Sequence, residues 1–315
     1  MSTTDKLNGL FIPDIGIEVH ENVNQAIPIS SSSASMNCYT TKPKKRTLKT
    51  YFDSGEKHHT ITALSYNVWF NDAYARERTL KIISIIREQM PDLIGLQELT
   101  KDTFELVDSR LSPFYQIFQA FISEGNPYGT CIMCKRDTVR IVEGEDNPYY
   151  YDYSNTEMSR RIIGCEVEFT NFVAPHFHVL TTHLESLPEN DTFRNSQFEI
   201  VKKVIKPLKN CILLGDFGIW NSNEQLEQNI NNSKLNDAWI KMGCPYKVKY
   251  SYNAKKNQNI KGRDQFRFDR VLYHSHLIKP KLLGLVGRNN VSNTVPLPPS
   301  NHFGLLVDFQ IKDSE

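Results

Sequence analysis

The chain has 315 residues, 39% hydrophobic and 23% charged, with a formal net charge of +1. That is enough chain, of ordinary enough composition, for a sizeable globular core. It excludes a uniformly basic nucleic-acid coat, though not a local basic patch, and no apolar run reaches the roughly 18 residues that a spanning helix needs.

Residues 1–56 read as a disordered or flexible tail: they hold SSSSAS, several Asn and Pro, and no sustained periodicity. Inside it, Lys42, Pro43, Lys44, Lys45 and Arg46 have the composition of a nuclear import signal, or of a chance basic patch. Leu48, Tyr51 and Phe52 would share one helical face. Residues 45–52 thereby resemble a sliding-clamp-binding peptide with Lys45 where Gln is usual; a staple onto the main domain is the plainer alternative.

A folded domain is expected over 57–315. TITALSYNVW (60–69) alternates like a strand. Leu80, Ile83, Ile86 and Met90 then fall at helical spacing over 73–90, with Ile82 and Ile85 broadening the face, and Pro91 stops the helix. DLIGLQE (92–98) is a short buried strand. Cys131 and Cys134 lie in the apolar run TCIMCKR, where alternation puts them on opposite or skewed faces as core thiols. Six cysteines without a second C-x2-C pair suit a reducing compartment. Later come a strand at 176–184, an amphipathic helix at 192–208, and strands at 211–216, 267–273 and 302–311. Many strands with fewer helices predict stacked sheets flanked by helices.

Each of these strands is apolar until it meets a carboxylate, imidazole or carboxamide. Asn67 follows LSY, Glu98 follows LIGLQ, His183 follows VLTT and Asp216 follows CILLG; Asp269 sits inside FRFDRV and His302 opens the last strand. Each alone has a plainer reading as a strand-end cap, an ion-pair partner or a satisfied core histidine. Burying all six unpaired is costly, so their recurrence predicts one wet cleft. Oxygen-rich donors suit Mg2+ or Mn2+ better than zinc. In such a cleft Glu98 can ligate the cation, and Asp216 can orient or deprotonate a water. His302 and His183 can donate to a phosphate, with Asp269 and Asn67 holding their neighbours in place. No Ser or Cys is paired with its own His as a covalent nucleophile would require.

SYNVW, LIGLQE, TTHLES, LLGD, FRFDRVLY and PSNHFGLL, in this order between residues 65 and 306, resemble the endonuclease/exonuclease/phosphatase superfamily. The similarity is strongest to its branch that removes a topoisomerase tyrosine from a DNA 5′ phosphate. The resemblance implies a four-layer α/β sandwich with two central mixed β-sheets. It also implies phosphodiester hydrolysis with Mg2+ or Mn2+, and the six roles just given. Its expected partners are DNA 5′ ends bearing a tyrosyl or peptide adduct, and RNA as a further substrate, handled by a nuclear monomer. Two positions depart from the family pattern. Gly218 stands where G-D-x-N has Asn, and Asn301 where S-D-H has Asp, leaving Asn301 at most a water-mediated metal contact. Both departures predict weakened catalysis, or a DNA-end-binding protein that no longer cuts; another phosphodiesterase or exonuclease of the superfamily is the further alternative.

The stretch 241–288 carries twelve Lys or Arg against two Asp, interleaved with aromatics. Tyr250, Arg263, Arg267, Phe268, Arg194 and Trp220 are the expected substrate-binding residues, a single strand being held by cations and stacked rings. The bland reading is a solvated loop balancing Glu143, Glu145 and Asp146. The run NPYYYDY (147–153) is either substrate-facing or packed on the sandwich.

Overall fold

The computed structural model describes residues 19–21, 60–120, 126–221 and 224–312. The basic run 42–46, the clamp-like segment 45–52 and the domain start at 57 lie outside these residues. Within the expected tail, Val19–Glu21 forms an edge strand, β1.

The other strands are β2 (Thr60–Asn67), β3 (Leu93–Leu99), β4 (Tyr115–Ala120), β5 (Gly129–Lys135), β6 (Val139–Ile141), β7 (Tyr149–Asp152), β8 (Arg161–Phe169) and β9 (Phe177–His183). The series continues with β10 (Cys211–Asp216), β11 (Asn236–Asp237), β12 (Tyr252–Asn253), β13 (Gln265–Phe266), β14 (Asp269–His274), β15 (Ile278–Val286) and β16 (Gly304–Ile311). The helices are α1 (Ala75–Gln89), α2 (Lys101–Leu111), α3 (Asp191–Ile205), α4 (Gln225–Asn231) and α5 (Ala238–Lys241). One mixed sheet has the order β1-β15-β16-β2-β3-β5-β4. The other runs β11-β14-β10-β9-β8-β6, with β7 also on β8.

Alternation along each strand sends residues to two different cores. Ala63, Leu93, Ile132 and Cys134 meet Ile163, Cys165, Val179, Ile212 and Leu214 between the sheets. Leu64, Ile94, Leu96 and Cys131 face outward onto Ile82, Ile86 and Val107 of α1 and α2. Leu180, Leu213 and Ile162 receive Phe198, Val201, Leu226 and Ile230 of α3 and α4. The result is the expected helix–sheet–sheet–helix sandwich. Cys131 and Cys134 are core thiols in different layers, Cys134 lying 3.8 Å from Cys165. Leu80 departs from expectation: it faces solvent, because the buried stripe of α1 runs through Ile82, Ile83, Ile85 and Ile86 instead. The strand expected from Arg267 begins at Asp269, since Arg267 is drawn into an ion-pair network.

That network is buried. Arg267 and Arg270 both reach Asp237, at 2.6 and 3.1 Å, and Glu227, at 3.4 and 2.5 Å. Removing one partner of a buried pair leaves an uncompensated charge. Arg270→Met should therefore lower unfolding stability in urea by about 3–5 kcal/mol. Lys202→Met, at the exposed pair with Glu199, should change it by less than about 1 kcal/mol. Equal small effects of the two variants would contradict this account.

Candidate active site

Topology explains why six distant polar groups meet. β2 and β3 are parallel neighbours in the first sheet, and β9 and β10 in the second. Asn67, His183 and Asp216 are the last residues of their strands, and Glu98 is the last but one of its own. Asp216 is in register with His183 on β9 and with Asp269 on the antiparallel β14, so Asp269 reaches the same end as its strand begins. His302 precedes β16, which runs antiparallel to β2. Glu98 sits at φ +63°, at a register shift between β3 and β5.

The contacts close into one cluster. Asn67 Nδ2 donates to Asp216 Oδ2 at 3.0 Å. His183 Nε2 lies 3.5 Å from Asp216 Oδ2 and 4.0 Å from Glu98 Oε1. His302 Nε2 lies 3.8 Å from Asp216 Oδ2, and its Nδ1 is 2.8 Å from Asp269 Oδ2. Ser300 Oγ donates to the Asn67 carbonyl at 2.7 Å and accepts from the His302 amide at 3.0 Å, tying the last loop to β2.

The two imidazoles are driven apart electrostatically. Burial holds His183 well below its ordinary pKa, and the neighbouring Arg160 guanidinium adds to this. Arg160 Nη1 is 2.8 Å from His183 Nδ1, so Nδ1 accepts and the neutral ring carries its proton on Nε2, toward Asp216 and Glu98. Burial also opposes the His302 imidazolium, but Asp269 and Asp216 outweigh it and raise the group to about 9. Burial pushes the Glu98 carboxyl up despite the Asn67 contact. Asp216 is also penalised by burial, yet the two histidines, Asn67 and the Gly218 amide bring it below the usual range.

With this geometry in place, the comparisons are decisive for the family. The profile of the endonuclease/exonuclease/phosphatase family matches residues 64–302. The chain belongs to this family. It is similar to tyrosyl-DNA phosphodiesterase 2 of Xenopus laevis, 28% identical over 266 residues that make up 81% of this chain and 67% of the relative. The 5′-tyrosyl-DNA phosphodiesterase of Caenorhabditis briggsae is 24% identical over 258 residues, 79% of this chain and 69% of the relative. A structure of Danio rerio TDP2 complexed with single-strand DNA product shares the fold, with a TM-score of 0.70 at 22% identity over 80% of this chain and 99% of that one.

Family membership implies a divalent cation, and the donor set fits one. Asp216, Asp269 and His302 offer ligand atoms within 4.8 Å of one another. Two of those groups are already engaged with each other, however, as the His302–Asp269 hydrogen bond. Glu98 fits a hard cation better. Its Oε2 takes the Phe70 amide at 3.2 Å, its Oε1 lies 4.0 Å from His183 Nε2, and burial penalises its charge despite the Asn67 contact.

Of the two altered positions, Gly218 adopts φ +56°, a region open to glycine and asparagine, and its amide donates to Asp216 Oδ1 at 2.9 Å. A Cβ there would lie 3.1 Å from the Glu185 carbonyl oxygen. Asn301 is half-buried beside Ser300.

Of the expected substrate contacts, Arg194, Arg267 and Phe268 are engaged inside the fold. Arg194 is fully buried; it pairs with Glu224 at 3.1 Å and donates to the carbonyls of Glu185, Ser186, Leu187 and Pro188. Arg267 is committed to Asp237 and Glu227. Phe268 is buried, 5.8 Å in ring centroids from His302, so it packs behind the imidazole. Trp220 is half-buried against Phe266 and Phe268, with no partner for its indole N–H among the described residues. Tyr250 packs edge-on against Tyr246, and Arg263 is exposed. The tyrosine run packs on the sandwich: Tyr149 bonds His178 near the start of β9, at the end away from the cleft.

Sequence reasoning missed Arg160, Tyr128, Ser186 and Glu185. Arg160 Nη2 reaches Tyr128 Oη at 3.2 Å and Ser186 Oγ at 3.0 Å. The available signal was the β8–β9 pairing, in which Ile162 opposes Thr182 and so brings Arg160 beside the His183 turn.

Because Asp269 is what keeps His302 charged, Asp269→Asn should drop its pKa from about 9 to below the ordinary value of about 6.5. An NMR titration of the His302 Cε1 proton in metal-free protein reads this directly. A folded pKa above the unfolded one contributes stability that is complete below about pH 6.5 and lost as pH rises through about 9. The stability gap between wild type and the variant should shrink across that window; an unchanged titration would refute the pairing.

Proposed function

We propose that this chain is a Mg2+- or Mn2+-dependent phosphodiesterase that hydrolyses the 5′-phosphotyrosyl bond joining a topoisomerase tyrosine to a DNA end. Its rate is lowered by Gly218 and Asn301. The observation that carries the reading is the convergence of Asn67, Glu98, His183, Asp216, Asp269 and His302 on one cleft. The names of the relatives support the substrate.

In this reading Asp216, held by Asn67 and the Gly218 amide, orients a water and takes its proton as the water attacks phosphorus. His302, charged and fixed by Asp269, donates from Nε2 to a non-bridging phosphate oxygen. His183 donates from Nε2 to a second. Glu98 holds the cation, with Asn301 in reach through a water; when bound, the cation polarises a phosphoryl oxygen and offsets growing negative charge. The leaving group is a phenolate whose conjugate acid has a pKa of about 10, so it departs with little proton assistance. Trp220, Tyr250 and Arg263, with the exposed lysines of 247–261, are the surface for a single-stranded 5′ end. Such work belongs in the nucleus, consistent with the basic run at 42–46; RNA adducts would meet the same chemistry.

The second reading, a DNA-end binder of the same fold that no longer cuts, is motivated by Gly218 and Asn301. A 5′-phosphotyrosyl oligonucleotide separates the two. The chain should release tyrosine and 5′-phosphate DNA with Mg2+ or Mn2+ and stop in EDTA, while unmodified DNA and sphingolipid stay intact. Glu98→Gln should cost about 10²–10³ in rate, and Gly218→Asn should raise it by a comparable factor by returning one donor. Tight DNA binding with no turnover, even in Gly218→Asn with Asn301→Asp, would establish the binder instead.

A further inference from the structure

Glu185 is buried and belongs to the TTHLES turn, and among the described residues its side-chain hydrogen bonds go to none of the six cleft residues named above. One of its oxygens, Oε1, accepts four hydrogen bonds. They come from the Thr156 hydroxyl, the Glu157 amide at 3.0 Å, the Met158 amide at 3.2 Å and Gln197 Nε2 at 3.3 Å. Three of these four donors belong to the segment 156–158, which leads into Arg160. Gln197 closes the arrangement from α3: its Oε1 takes the Glu185 amide at 2.9 Å, and its Nε2 also donates to the Asn155 carbonyl at 3.1 Å. Thr156 passes the hold onward, its Oγ1 accepting the Arg160 amide at 2.7 Å.

At the far end of this relay Arg160 Nη1 meets His183 Nδ1. The guanidinium is otherwise steadied by Tyr128, Ser186 and the Met158 sulfur, and its buried Nε has no partner among the described residues. Its position is therefore set largely from the backbone side, by the segment Glu185 gathers. The ring nitrogen Arg160 reaches is the one whose occupancy decides which His183 nitrogen carries the proton.

We propose that Glu185 is a positioning residue: through Thr156 and the 155–160 segment it holds Arg160 on His183 Nδ1, and so fixes His183 as a neutral Nε2–H donor facing the cleft. This rests on the phosphodiesterase reading for its kinetic consequence only. The tautomer of His183 is readable whatever the chain hydrolyses.

The test uses the full chain with 15N-labelled histidine. In wild type, His183 should give the signature of a neutral ring protonated on Nε2. Glu185→Ala should replace it by a mixture of tautomers. Glu185→Gln, which keeps an acceptor oxygen at the Oε1 position, should restore the wild-type signature. On the phosphotyrosyl oligonucleotide, Glu185→Ala should lower kcat by about 10–100-fold with KM within about twofold, and Glu185→Gln should recover most of it. Should Glu185→Ala fail to fold, Thr156→Val cuts the same relay with an isosteric side chain and should give the same tautomer mixing. An unchanged His183 signature in Glu185→Ala or Thr156→Val overturns the proposal. Tautomer mixing in a chain with no turnover in any variant would uphold it while refuting the phosphodiesterase reading.

Discussion

One buried hydrogen bond joins the two halves of the sandwich where the chemistry is expected: Asn67 Nδ2, at the end of a strand in the first sheet, donates to Asp216 Oδ2, at the end of a strand in the second. A carboxylate buried between two sheets is unaffordable without such partners. Asp216 has four: the Asn67 amide, the Gly218 backbone N–H and an imidazole on either side. The partners impose opposite states on the two imidazoles. Burial, and after it Arg160, makes protonation of His183 unfavourable, whereas Asp269 makes deprotonation of His302 unfavourable. Two chemically identical side chains are thereby set up as one neutral and one charged donor, a separation that environment alone produces.

This pole was legible in the sequence because its residues interrupt apolar strands. CILLGD ends at Asp216 and the first strand of the domain ends at Asn67, so the positions of both were plain from alternation. Charge on its own was misleading. Arg194 and Arg267 looked like phosphate contacts because an arginine reads as exposed until its partner is known. Their partners Glu224 and Asp237 lie 30 residues away in each case, on elements brought close only by the fold. Arg160 was hidden for the complementary reason. The hairpin of β8 and β9 turns it inward while Arg161 meets the exposed Asp152. Leu80 shows the limit of periodicity: a helix with six apolar candidates has more than one stripe to offer, and the sheet decides which is buried.

Gly218 and Asn301 change side chains without disturbing the frame that carries them. The left-handed backbone at Gly218 suits glycine or asparagine equally, and its N–H still holds Asp216. What is missing is a donor reaching past the backbone, and the Glu185 carbonyl leaves a returning Cβ little room. At Asn301 the neighbouring Ser300 still bridges Asn67 and His302. The loss there is the negative charge an aspartate would carry next to Ser300, and the His302–Asp269 hydrogen bond is left in place.

These two losses bear unequally on different substrates. A missing phosphate donor and a weaker cation site both reduce stabilisation of charge on the phosphoryl oxygens. How much of that a reaction needs depends on the leaving group. A sugar alkoxide is strongly basic and departs only with its charge well compensated, so ordinary phosphodiester cleavage would suffer most. A tyrosine phenolate is far less basic and carries its own charge away from phosphorus. In the reading proposed above, the groups that remain intact, Asp216 aligned by Asn67 and the paired His302 and Asp269, are those that would prepare the nucleophile and hold the phosphate. On that reading, a cleft altered in this way would favour aryl phosphodiesters over the nucleic-acid backbone itself.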